Sequence, residues 1–125
     1  MKKILALALL VISCCGTAAE FKISNVGLSA SQVKEICDRS EPECYAYLVG
    51  AIDGFEVAFT VFMDAQKRKN VSLKLSPYCL PQGITRQKMY ETAKQYIYDH
   101  PDRGEFDAAS IIVVGLSKAY PCPQQ

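Results

Sequence analysis

The stretch CYAYLVGAIDGFEVAFTVFMDAQ, Cys44 to Gln66, sets the fold class. On a helix of 3.6 residues per turn, Leu48, Ile52, Phe55, Phe59 and Phe62 share one face, with Tyr45 and Met63 at its edge. Asp53, Glu56, Thr60 and Asp64 form a narrow polar stripe on the other side. Gly50 and Gly54 each cost about 1 kcal/mol of helix propensity relative to Ala, so their presence predicts that another backbone passes close by. The pattern predicts a central core helix in an all-α domain of four helices or more.

A helix of this length also meets the requirement for a membrane span, about 20 apolar residues. The polar stripe argues against that use, because one Asp at mid-bilayer costs roughly 2.5 to 3.5 kcal/mol. The Gly50 to Gly54 spacing matches GxxxG, which outside a membrane says only that two helices pack closely.

Towards the N-terminus, Met1 to Ala19 has the layout of an export signal. Lys2 and Lys3 form a basic start, Ile4 to Ile12 an apolar run, and Thr17-Ala18-Ala19 a small-residue cleavage site. The expected mature domain is residues 20–125. A competing reading takes Val11-Ile12-Ser13-Cys14 as a lipoprotein box, with Cys14 lipidated and the protein tethered to a membrane. Cysteine parity favours cleavage after Ala19: of six cysteines it leaves Cys37, Cys44, Cys79 and Cys122, an even set, whereas lipidation would strand Cys15 as a free thiol. No C-x-x-C knuckle is present, so two disulfides account for the set more simply than a zinc site.

Loss of Lys2 and Lys3 turns the formal charge of +1 into −1, which draws the protein neither to nucleic acid nor to an anionic surface. A mature chain of about 106 residues buries one core, marginally, so cross-links matter.

The other helices are marked by their starts. Glu20 to Gly27 reads as a short extended lead, and Ser29-Ala30-Ser31-Gln32 as a capping box with Leu28 and Val33 as its staple. This first helix turns Val33, Ile36 and Cys37 inward. Ser40-Glu41-Pro42-Glu43 then opens the central helix, with Pro42 in the first turn where its missing N–H costs little. Cys37 and Cys44 flank that junction; along one continuous helix they would lie about 10 Å apart, but a reversal at Ser40 to Pro42 brings them within bridging range. After Gln66, Lys67-Arg68-Lys69-Asn70 and the alternating Val71 to Leu75 predict an extended basic loop.

Thr85 is the expected N-cap of the next helix, with Ile84 and Met89 as staple and Met89, Ala93, Tyr96 and Ile97 inward. Tyr98 points away from that face, as a candidate contact residue, and His100-Pro101 ends the helix. Asp107 caps the last helix, Ala108 to Tyr120, with Phe106 and Ile111 as staple. Ile111, Ile112, Gly115, Leu116 and Ala119 face one way, Val113 and Val114 the other. A helix apolar nearly all round is either fully buried or shared with a second subunit, and a homodimer is the expectation.

Catalytic chemistry is hardly represented. His100 is the only histidine and lies beside no recognisable nucleophile. Asp53 and Glu56, one turn apart, form a carboxylate pair that reads more simply as a structural polar stripe. No glycine loop for phosphate and no metal-ligand set is present, so no enzyme, cofactor or metal is expected.

Four strings in order, Cys44…Tyr47…Gly50…Asp53-Gly54, Cys79-Leu80-Pro81-Gln82-Gly83-Ile84-Thr85, His100-Pro101-Asp102 and Ala119-Tyr120-Pro121-Cys122, resemble the Rap/Tai immunity proteins of bacterial type VI secretion. The resemblance covers about Val33 to Cys122. It implies a small helical periplasmic protein, often dimeric, that binds a toxic peptidoglycan amidase and blocks its active-site cleft. It also implies a Cys79 to Cys122 bridge, which leaves Cys37 with Cys44. The family's inhibiting surface is a protruding loop with an adjacent helix. Here Tyr98, Asp99, Asp102, Arg103 and Glu105 are the expected effector-binding residues, with the basic Lys67 to Lys69 loop as second choice. The alternative from another class is a small periplasmic acid-stress chaperone, whose switch would rest on carboxylates such as Asp53 and Glu56.

Overall fold

A computed structural model describes residues 27–69 and 76–123. Its helices are α1, Ala30–Arg39; α2, Glu41–Arg68; α3, Arg86–Asp99; and α4, Ala108–Ala119, with a 3-10 turn at Pro101–Arg103 between the last two. Among the described residues there is no strand, only an isolated bridge between Ser29 and Asp107. The domain is all-α and carries two disulfides. The leader Met1 to Ala19, Cys14, most of the extended lead and Val71 to Leu75 lie outside the described residues.

Local capping chemistry starts each helix. The Ser29 side chain accepts from the Gln32 N–H at 3.3 Å, and Gln32 Oε1 accepts in return from the Ser29 N–H at 2.9 Å. Thr85 and Asp107 cap α3 and α4, accepting from the N–H groups of Lys88 and Ser110. Ser40 serves two helices at once. Its N–H donates to the Ile36 carbonyl and closes α1, while its side chain accepts from the Glu43 N–H and opens α2. The resulting one-residue reversal sets the Cα atoms of Cys37 and Cys44 4.5 Å apart, bridged by a disulfide. At the other end of the domain the Cys79 N–H donates to the Tyr120 carbonyl at 2.9 Å, beside the Cys79 to Cys122 bridge.

The core takes Val33 and Cys37 from α1, Leu48 and Ile52 from α2, Tyr90, Ala93 and Ile97 from α3, and Ile111, Ile112 and Leu116 from α4. The contribution of α2 ends early. Beyond Ile52, Phe55 and Phe59 are half-buried, Phe62 is 46% exposed, and Val57 and Val61 are 65% exposed. The stretch expected to be a core helix throughout is therefore a core helix in its first half only; α2 continues to Arg68, so Lys67 and Arg68 are helical and not loop.

Gly50 and Gly54 also differ from expectation, because a Cβ placed on either meets nothing within 4 Å. The close approach is elsewhere, at Gly115, where a Cβ would stand 2.8 Å from Cβ and Cγ of Tyr96. Ala119 is exposed, and Phe106, expected as a staple, is 61% exposed. The two-sided apolar character of α4 is met within one chain. Its Ile111, Ile112, Gly115 and Leu116 are buried, Val113 and Val114 are half-buried, and α4 packs against α1, α2 and α3 alike.

Candidate functional site

Two of the titratable residues singled out from the sequence, Asp53 and His100, are engaged in packing. Asp53 sits against the Arg86 guanidinium, which ties the middle of α2 to the start of α3. Glu56 lies one turn on, and no group of His, Cys, Asp and Glu able to hold a metal occurs among the described residues. His100 stacks on the Tyr96 ring with centroids 3.9 Å apart, and its Nδ1 donates to the Tyr96 carbonyl at 2.8 Å. These contacts secure the end of α3, where Pro101 prevents the helix from continuing.

Tyr98, expected to point away from the core, is partly buried against it, and α1 meets its outer side. Its hydroxyl donates to Asp38 Oδ1 at 2.5 Å, and Lys34 Nζ lies 4.7 Å from its ring centroid. Partial burial, followed by the bond to the Asp38 carboxylate, pushes the Tyr98 hydroxyl up to about 12. Asp38 is held below the usual carboxylate range, first by the Lys34 ammonium at 2.6 Å and then by Tyr98. Half-buried and bonded to Asp38 of α1, Tyr98 joins the two helices.

A second cluster repeats the device one turn away. Glu41 accepts from Lys94 Nζ at 2.5 Å and from the Tyr90 hydroxyl, and the Tyr90 hydroxyl lies 3.7 Å from Cys44 Sγ. Lys94 and Tyr90, in that order, lower the Glu41 carboxyl. The α1–α2 junction and its disulfide are thereby tied to α3.

The connection from α3 to α4 presents the other expected residues. Asp99 accepts from the Gln95 side chain at 2.7 Å; Asp102 and Glu105 are exposed, and Arg103 is half-buried. The main chain here is fixed by its neighbours: Gly104 and Phe106 carbonyls accept from the Ser31 and Ala30 N–H groups, and the Ala108 N–H donates to Leu28, each at 2.9 Å. Phe106 stands on this backbone between Glu105 and Asp107, its ring largely in solvent. Sequence reasoning missed it as a surface aromatic because its spacing to Ile111 matched a hydrophobic staple; its neighbours, Glu105 and Asp107, were the available signal. The second-choice residues lie far along α2, where Arg68 pairs with Asp64 at 2.5 Å and Lys67 and Lys69 are exposed.

No curated protein and no solved structure matches this chain. The sequence model of one family, the Rap1a immunity proteins, matches residues 29–122. The matched span begins at the capping serine of α1 and ends at the cysteine that closes the second disulfide. Since it takes in all four helices and both bridges, the chain belongs to the Rap1a immunity protein family.

Proposed function

We propose that the protein is exported to the periplasm, loses Met1 to Ala19, and there binds a peptidoglycan amidase delivered by type VI secretion, covering the amidase's active-site cleft. It acts by shape and without turnover, as a homodimer. The observation that carries this reading is the family match over residues 29–122.

The structure supplies the physical means. An inhibitor that docks as a rigid body loses little conformational entropy on binding. Two disulfides at helix junctions and the backbone bonds from Ala30 and Ser31 to the α3–α4 connection provide that preorganisation. The same connection offers Phe106 as an aromatic anchor with Asp102 and Glu105 as a charged rim, an arrangement common at binding hot spots. Phe106 takes the anchor role that the sequence suggested for Tyr98, while Asp99, Asp102, Arg103 and Glu105 keep theirs as neighbours.

The test is a titration of the purified protein into a cysteine-histidine peptidoglycan amidase encoded beside it. Cleavage of peptide stems should stop near one equivalent. Full amidase activity at tenfold excess, or cleavage of wall fragments by this protein alone, overturns the reading.

A further inference from the structure

A groove runs between the middle of α2 and the segment that leads towards α3. Phe55 and Phe59 line it on the α2 side, their rings stacked with centroids 6.1 Å apart, and Pro77, Tyr78 and Leu80 line the other side. The Tyr78 ring lies 6.0 Å from that of Phe55. This second wall is held by the Cys79 to Cys122 bridge and by the bond from the Cys79 N–H to the Tyr120 carbonyl. The groove has a volume of about 460 Å³, inside the range of roughly 300 to 1,000 Å³ usual for ligand sites.

Its polar groups are few, and two of them are unanswered. Glu56, half-buried on α2, is the one charged residue of the lining and has no ion pair among the described residues. The Tyr78 hydroxyl is buried without a hydrogen-bond partner among the described residues. Burial, and after it the Glu56 carboxylate, push that hydroxyl up to about 12, so the two groups feel one another. The remaining hydroxyls are already committed: Thr60 donates to the Glu56 carbonyl and Ser76 to the Tyr78 carbonyl.

We propose that this groove receives an arginine side chain of a partner protein, presented beside an apolar neighbour on an extended segment. Charge complementarity selects a cation, because Glu56 stands alone among apolar walls, and covering it with an apolar or acidic group would leave a desolvated carboxylate unpaired. Shape selects guanidinium. Its planar fork can donate to the Glu56 carboxylate and the Tyr78 oxygen together while its face lies on a phenylalanine ring. The apolar neighbour covers Leu80, which is 36% exposed. The groove adjoins the carboxyl end of α4 through Cys122, whereas Phe106 precedes its amino end, a helix length of about 18 Å away at 1.5 Å per residue. The inference therefore does not rest on the amidase reading.

The test is an NMR titration of the isotope-labelled protein, exported with its own leader, with acetylated and amidated leucyl-arginine and its citrulline, lysine and glutamate counterparts. The arginine peptide should bind with a millimolar dissociation constant and shift the amide signals of Phe55 to Thr60 and Ser76 to Leu80. Citrulline keeps the shape and loses the charge, and should bind about fivefold more weakly or worse. Glu56→Gln should weaken the arginine peptide to a similar degree while leaving circular dichroism unchanged. Absent shifts, shifts confined to other parts of the molecule, equal binding of the citrulline or glutamate peptide, or an unchanged affinity in Glu56→Gln each overturn the proposal. A lysine peptide that binds as tightly overturns the guanidinium and reassigns the groove to an ammonium.

Discussion

Tyr96 lies against Gly115 so closely that a methyl group on Gly115 would stand 2.8 Å from Cβ and Cγ of the tyrosine. The Cβ is fixed by the α3 backbone and cannot swing aside, so relief requires α3 and α4 to separate. Overpacking of this kind costs about 1–3 kcal/mol, against about 1 kcal/mol of helix propensity gained from Gly to Ala. Gly115→Ala should therefore lower stability by roughly 0–2 kcal/mol in urea denaturation. At Gly50 the same change meets open space and should be neutral or slightly stabilising.

This contrast marks where sequence reasoning works and where it stops. Helix starts were legible because a cap is a local event: Ser29 with Gln32, Thr85 and Asp107 each need only residues three positions away. The reversal at Ser40 was legible for the same reason. Depth was not, because periodicity gives the direction a side chain faces and not whether anything lies there. Phe62 shares a face with Leu48, yet Leu48 is fully buried and Phe62 is 46% exposed. Gly50 and Gly115 are both helical glycines in apolar stretches, and only a crossing helix distinguishes them. Tyr98, expected to point away from the core face of α3, is partly buried against the core, and its partners Lys34 and Asp38 come from sixty residues away and leave no local mark.

Acid should loosen the contacts that α1 and the start of α2 make with α3. Asp38 and Glu41 titrate below their ordinary values of 3.8 and 4.5 in the folded protein, chiefly through Lys34 and Lys94. A carboxylate with a depressed folded value contributes stability that is present above its unfolded value and lost as pH falls through the folded one. Urea midpoints should thus stay level from pH 7 to about 5 and decline below about 4. Asp38→Asn should make that decline shallower.

Alkali should act on the same contact from the other partner. The Tyr98 hydroxyl is raised from 10.0 to about 12, so the stability it adds is intact below pH 10 and lost as pH rises through about 12. A phenolate absorbance titration should show one fewer late-ionising tyrosine in Tyr98→Phe than in wild type.

The disulfides should differ in weight. Cys79 and Cys122 are 43 residues apart in sequence and Cys37 and Cys44 only 7, so loop closure gives about 4 kcal/mol for the first and about 2 for the second. Thermal melts of Cys79→Ser/Cys122→Ser should fall further than those of Cys37→Ser/Cys44→Ser.

Anchor and brace should separate cleanly by mutation. Phe106→Ala, on a largely solvated ring, should change stability by less than about 0.5 kcal/mol yet weaken amidase affinity roughly tenfold or more. Tyr98→Ala removes the bond to Asp38 and the ring under Lys34, and should cost about 1–3 kcal/mol of stability. Isothermal titration with the amidase and denaturation of the free protein give the two readouts.

The main chain enters α1 alongside Phe106, while Cys122 lies beyond the far end of α4. A bulky tag or fluorescent fusion ahead of Gly27 therefore shades the edge that carries the aromatic ring, and one attached after Pro123 leaves that edge clear. Labels, immobilisation chemistry and display formats for this molecule belong at its carboxyl end.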